Sequence, residues 1–145
     1  MWGAGYGATV VDISPRVPSI AEYRELRRLV GWKVPSEADA QRALDGSVAA
    51  ACATAEGEMI ACGRIVGDAF YLFVVDLMVR PDHQGRGLGS RLLAELEAEA
   101  TRRSGTGKLG LVADPEVAPY YEERGYEPST SALLGKDLGR SAEVP

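Results

Sequence analysis

The segment HQGRGLGS, residues 83–90, places Gly85, Gly87 and Gly89 at alternate positions. The apolar run FYLFVVDLMV (70–79) precedes it and the leucine-rich segment RLLAELEAEA (91–100) follows. Glycine removes the side chain that would block an anion from backbone N–H groups. A helix start adds unpaired N–H donors and the positive end of a dipole. The chemistry offered is therefore the holding of a phosphate. A P-loop requires GxxxxGK[ST], and this turn has no lysine. A dinucleotide fold requires GxGxxG followed by an acid about 20 residues on. The spacing here is GxGxG, and residues 105–110 contain no acid. Few other side chains near the turn have chemical reach. Asp76 is the one acid in the apolar run, and a buried carboxylate needs partners. If side chains alternate, it faces away from Val75. His83 lies in the PDHQ turn rather than at the end of the run. By helix spacing alone, Tyr120 and Tyr121 read as packing aromatics.

The elements that must position these residues follow from periodicity and breakers. ATVVDI (8–13) is a short β-prone run, ended by two prolines in residues 14–18. SIAE (19–22) has the form of a capping box and opens a helix with Ile20, Tyr23, Leu26 and Val30 on one face, stopping at Gly31. PSEAD opens a second helix after Ser36, ending near Gly46. Turns at EGE (56–58) and GD (67–68) divide the next segment into a three-stranded antiparallel meander. Its third run, 70–79, is apolar on both faces apart from Asp76 and is expected at the centre of the sheet. An amphipathic helix runs from Gly87 to about Ser104, and KLGLVA (108–113) is a further buried strand. VAPYYEERGY carries a short helix ending at Gly125, and TSALL is expected to add a last strand. The order β-α-α-β-β-β-α-β-α-β defines an α/β (α+β) fold, a mixed, mostly antiparallel central sheet flanked by helices. One domain over residues 1–145, with its core in about 8–135, is expected.

Composition narrows the function. The 145-residue chain is 46% hydrophobic and 26% charged, with a net charge of −5. Neither a basic patch for nucleic acid nor an apolar run long enough to cross a membrane is visible. MWGAGYGATVV lacks the pattern of a signal peptide, so cytoplasmic residence is the default expectation. One histidine and two cysteines make no metal-ligand cluster, and no metal is expected. Cys52 and Cys62 fall in neighbouring strands as reduced packing residues.

The stretch VVDLMVRPDHQGRGLGSRLL resembles the signature of the GNAT superfamily of N-acetyltransferases. Gln84, Gly87 and Gly89 match its [Q/R]xxGx[G/A] motif. Tyr121-Glu-Glu-Arg-Gly125-Tyr126 matches its second hallmark, YxxxG[F/Y]. The resemblance implies acetyl-coenzyme A as co-substrate and direct transfer of the acetyl group to a primary amine. That acceptor would belong to a small molecule or a peptide, a small molecule ahead of a protein, and composition argues against nucleic acid and membrane partners; homodimers are common in the family. The pyrophosphate would lie on the N–H groups of Gly85, Arg86, Gly87, Leu88, Gly89 and Ser90. The pantetheine arm would pair with the main chain of Leu77, Met78 and Val79 as an added strand. An N–H of Met78 or Val79 would polarise the thioester carbonyl, and Tyr121 would be the general acid. Many relatives carry a glutamate where this chain has Val75, which leaves Asp76 as the only strand acid available as base or acceptor ligand. Tyr23, Glu25, Arg28, Trp32 and Lys33 are acceptor-side candidates. The missing glutamate supports an alternative, a non-catalytic acyl-coenzyme A binding or sensor module.

Overall fold

A computed structural model describes residues 10–139. The chain divides into two compact units, Met1–Leu111 and Val112–Pro145. The first unit contains β1 (Val11–Ser14), α1 (Ile20–Leu29), α2 (Glu37–Asp45), β2 (Ala49–Ala55), β3 (Glu58–Gly67), β4 (Leu72–Val79), a 3₁₀ turn (Pro81–His83), α3 (Leu88–Arg103) and β5 (Gly110–Leu111). The second contains α4 (Ala118–Glu122). The start of the expected first strand, Ala8 and Thr9, lies outside the described residues.

The five strands form one sheet in the order β1-β2-β3-β4-β5, antiparallel except for the β4–β5 pair. Expectation and structure differ at three points. β3, not β4, occupies the middle of the sheet and is buried over six consecutive residues. β4 stands one place from the edge, and Phe73 on it is 40% exposed. β5 is only two residues long and half-buried rather than a six-residue core strand. No strand forms over TSALL among the described residues, where Leu133 and Leu134 are exposed. Apolar character alone proposes a strand, but a strand needs a partner whose ladder it can complete.

The helices are set by their caps. Ser19 accepts from the Glu22 N–H while Glu22 reaches back to the Ser19 N–H, closing the capping box on α1. Ser36 caps α2 through the Asp39 N–H. Tyr23 and Leu26 of α1, Ala40 and Leu44 of α2, and Cys52, Cys62 and Met78 of the sheet form one buried cluster. The opposite face is covered by α3, which buries Leu88, Leu92, Leu93, Leu96 and Ala100. Cys52 and Cys62 are direct partners in the β2–β3 ladder and carry free thiols. Burial pushes the Cys52 thiol up to about 11 and raises Cys62 as well, so neither is a ready thiolate.

Candidate functional site

The glycine turn has the backbone its sequence requires. Gly85 and Gly87 sit at φ +77° and +78°, a left-handed conformation that a side chain disfavours. A Cβ at either would meet no atom within 4 Å, so both glycines face open space. Leu88, 4% exposed, anchors the turn in the core beneath α3. Gly87 is the N-cap of α3, with no side-chain cap and no acid in the first turn. The contrast with α1 and α2 is chemical. Each of those helices places a serine hydroxyl on a first-turn N–H and carries acids in its first turn, whereas α3 starts on bare glycine. Among the described residues the N–H groups of Gly85, Arg86, Gly87, Leu88 and Gly89 donate to no protein acceptor. Arg86 projects into solvent beside them. The arrangement is a cluster of aligned donors at the positive end of a 16-residue helix.

Gln84 ties the turn to the strand. Its Nε2 donates to the Val79 carbonyl at 3.0 Å. His83, in contrast, is occupied locally, with Nδ1 2.9 Å from Asp82 Oδ1. Arg80 also clasps Asp82 and bridges to Glu58. Arg80 and His83 together hold the Asp82 carboxyl well below the usual carboxylate range.

β4 leaves part of its edge unpaired. It meets β5 only at Phe73↔Gly110 and Val74↔Leu111, so among the described residues its last five residues have no strand partner on that side. A bulge falls within this open part of the strand. Arg64 pairs with Val75 and Cys62 with Met78, leaving Asp76 and Leu77 opposite the single residue Gly63. A bulge bends a strand and increases its twist. The ladder phase then assigns the main chain. The Arg80 N–H donates to the Ile60 carbonyl at 2.8 Å, and successive residues point their main-chain groups to alternate sides. Val79 therefore turns its N–H to the open side, while Met78 turns toward β3. Of the two carbonyl-polarising donors expected, only Val79 has this orientation.

Asp76 departs most from expectation. It adopts φ +52° at the bulge, which cancels strict alternation. It does not face away from Val75: Val75 pairs with Arg64, and the Asp76 carboxylate also reaches Arg64. Arg64 Nε and Nη2 donate to Oδ2 at 3.0 and 2.8 Å, and the Tyr23 hydroxyl donates to the same oxygen at 2.6 Å. Arg27 Nη1 donates to Oδ1 at 2.7 Å. Two guanidiniums and a phenol take up the carboxylate, which suits a structural anchor and not a base that must take a proton from substrate. Arg64 is itself 6% exposed and also donates from Nη1 to the Ala43 carbonyl and Ser47 Oγ. Arg27 lies 5.5 Å from the ring centroids of both Tyr23 and Trp32. Sequence reasoning missed Arg64 and Arg27. The available signal was an arginine within the apolar strand EMIACGRIVG, which implies a buried counter-charge.

Of the acceptor-side candidates, Tyr23 is buried in this network, and Glu25 and Arg28 pair with each other on the exposed helix face. Trp32 is 44% exposed, and the Lys33 carbonyl accepts from Arg27.

In the second unit, the Tyr121 ring packs edge-on against Tyr120 at 5.1 Å and Tyr126 at 5.9 Å. Burial, with a smaller contribution from Tyr120, raises the Tyr121 phenol above its ordinary value, so it holds its proton at neutral pH. The Arg124 guanidinium lies 3.5 Å from the Tyr120 ring centroid. Among the described residues no three His, Cys, Asp or Glu side chains cluster in a way that could hold a metal ion.

Fold, turn and open strand edge together define an acyltransferase scaffold, and comparison with known proteins places it. The model of the Acetyltransferase (GNAT) family matches residues 17–126, and the chain belongs to that family. Serotonin N-acetyltransferase 2, chloroplastic, of Oryza sativa subsp. japonica is 29% identical over 129 residues, covering 86% of this chain and 64% of that protein. This chain therefore spans less than two thirds of that relative's length. A probable acetyltransferase of unknown function from meticillin-resistant Staphylococcus aureus superposes with a TM-score of 0.80 at 21% identity, covering 90% of this chain and 100% of that one. Aminoglycoside N-acetyltransferase AAC(6')-Iy in complex with CoA gives 0.69 at 19% identity, covering 90% and 97%. Among the described residues no helix is long and apolar enough to cross a membrane.

Proposed function

We propose that the protein is an N-acetyltransferase that moves an acetyl group from acetyl-coenzyme A to a primary amine, in one catalytic domain over residues 1–145. The observation carrying this reading is the uncapped start of α3, where Gly85 and Gly87 take left-handed backbone and face open space. Family membership and the CoA complex of a protein with this fold support it. In this reading the N–H groups of residues 85–90 hold the pyrophosphate, and the unpaired edge of β4 takes the pantetheine arm from Leu77 to Val79. The amine nitrogen attacks the thioester carbonyl carbon. The oxygen gains negative charge and accepts from the Val79 N–H, a contribution of about 2.7–4 kcal/mol by analogy with other oxyanion donors. The C–S bond then breaks, and the departing thiolate takes the Tyr121 proton. The nitrogen's surplus proton leaves to solvent.

No internal base is assigned, since Asp76 is engaged by Arg27 and Arg64. An alkylamine with pKa near 10.4 then reacts from its minor neutral form, at about 4–5 kcal/mol near neutral pH. The acceptor is a small-molecule amine in this proposal. The same engagement of Asp76 favours a second reading, an acyl-coenzyme A binding module without turnover. A thiol-release assay with acetyl-coenzyme A across polyamines, amino sugars and arylalkylamines separates them. Amine-dependent release supports transfer. Binding by calorimetry without release supports the module, and absence of binding overturns both.

A further inference from the structure

We propose that Asp76 and Arg64 form an internal lock that positions the Val79 N–H for acetyl transfer, coupling the β4 bulge to α1 and α2. This inference rests on the transferase reading above. Three observations carry it. Asp76 is one of only two non-glycine residues at positive φ among the described residues, and the other, Glu56, lies in the tight turn between β2 and β3. Left-handed backbone within a strand is unfavourable for a residue with a Cβ, so something must hold it. Four hydrogen bonds converge on the Asp76 carboxylate from Arg64 on β3 and from Tyr23 and Arg27 on α1. Finally, Arg64 extends the connection to α2 through the Ala43 carbonyl and to the loop after it through Ser47.

The geometric consequence lies three residues downstream. The extra residue at Asp76–Leu77 shifts the β3–β4 register, so Met78 pairs with Cys62 and Val79 with Ala61. That phase directs the Val79 N–H to the open edge. Opposite the bulge, Gly63 leaves the space it needs. A Cβ there would meet Leu77 Cδ1 at 3.0 Å and Leu96 Cδ1 at 2.7 Å. The turn's positive-φ residues are glycines anchored by Leu88, so its local shape does not need the lock, and its tie to β4, from Gln84 to the Val79 carbonyl, runs through a long exposed side chain. The lock therefore acts on the carbonyl end of the site and leaves the phosphate end intact. Asp76 and Arg64 are positioning residues: they act on the reacting atoms through the main chain of β4.

The test uses the full chain, acetyl-coenzyme A, and whichever of tryptamine, spermidine and glucosamine gives the fastest thiol release with the unmodified protein. Asp76→Asn keeps the shape and the tolerance of positive φ but removes the charge that gathers both arginines. The expected result is a fall in kcat of about 10–100-fold, the scale of an ångström-level misplacement, with the calorimetric Kd for coenzyme A within about threefold. Arg64→Lys should recover part of kcat relative to Arg64→Met. If Asp76→Asn does not fold, Arg27→Gln removes one arginine from the partly exposed side and should show the same split at smaller amplitude. A kcat within twofold of the unmodified protein in folded variants overturns the lock while leaving the transferase reading intact. A parallel loss of coenzyme A affinity and kcat also overturns it, since the effect would then reach the phosphate turn. An unmodified protein that releases no thiol overturns the transferase reading, and the lock's catalytic role with it.

Discussion

A phenol can protonate a leaving thiolate only while it holds its own proton, and burial of Tyr121 favours that state. Tyr121→Phe should lower kcat by about 100-fold or more, the usual contribution of a positioned acid, with the Kd for coenzyme A unchanged. Equal kcat for the two proteins would remove Tyr121 from the mechanism. The same shift has a signed consequence for pH. With no internal base, kcat/KM should rise about tenfold per pH unit as the amine loses its proton. The raised Tyr121 value delays loss of the acid, so the alkaline limb should fall above pH 10, where an unperturbed tyrosine titrates. A steady-state pH profile with a plateau near pH 7 would instead require a base among the protein's own groups. At the turn, Gly87→Ala places a Cβ on left-handed backbone at φ +78°. About 1–2 kcal/mol of stability should be lost to the backbone. Coenzyme A affinity should weaken at least tenfold as the methyl group enters the donor cluster. Calorimetry and thermal melts separate the two effects.

At the scale of elements, the turn between β3 and β4 depends on one glycine. Gly67 sits at φ +122°, and a Cβ there would overlap the Tyr71 carbonyl. Gly67→Ala should destabilise the protein by more than about 3 kcal/mol, because clash and backbone strain act together; denaturant titration checks it. The start of α1 gives a milder, pH-dependent case. Arg16 donates to both Glu22 oxygens at 2.7 and 2.9 Å and, with the Ser19 N–H, holds the Glu22 carboxyl down to about 2 against an ordinary 4.5. A depressed carboxyl contributes stability that is complete above its unfolded value and lost as pH falls through its folded value. The difference in Tm between the unmodified protein and Arg16→Gln should therefore be present at pH 6 and shrink between about pH 4.5 and 2. A difference that grows toward acid would contradict the assigned pair.

For the molecule as a whole, the first unit rests on α3 packed across the sheet, and Leu96 in that interface is fully buried. Leu96→Ala should cost about 2–5 kcal/mol and show as a lowered Tm. The elements that sequence analysis located best were those with local causes. The Ser19 and Ser36 caps, the leucine stripe of α3 and the glycines of the turn each act within a few residues, through backbone conformation and helical spacing. What misled was long-range. The apolar run of β4 suggested a central strand, and TSALL suggested a further one, because hydrophobic pattern records burial and not which ladder accepts the strand. Val75 and Asp76 were assigned opposite faces by alternation, and one bulge reversed that assignment. The sequence by itself determined where the bare-glycine start of α3 lies, since glycine conformation and a helix start are properties of adjacent residues. Only the tertiary structure decided that Asp76 anchors the bulge and that Val79 faces the open edge. Both depend on β3–β4 register and on Arg27 and Arg64, which stand 49 and 12 residues from Asp76 in the chain.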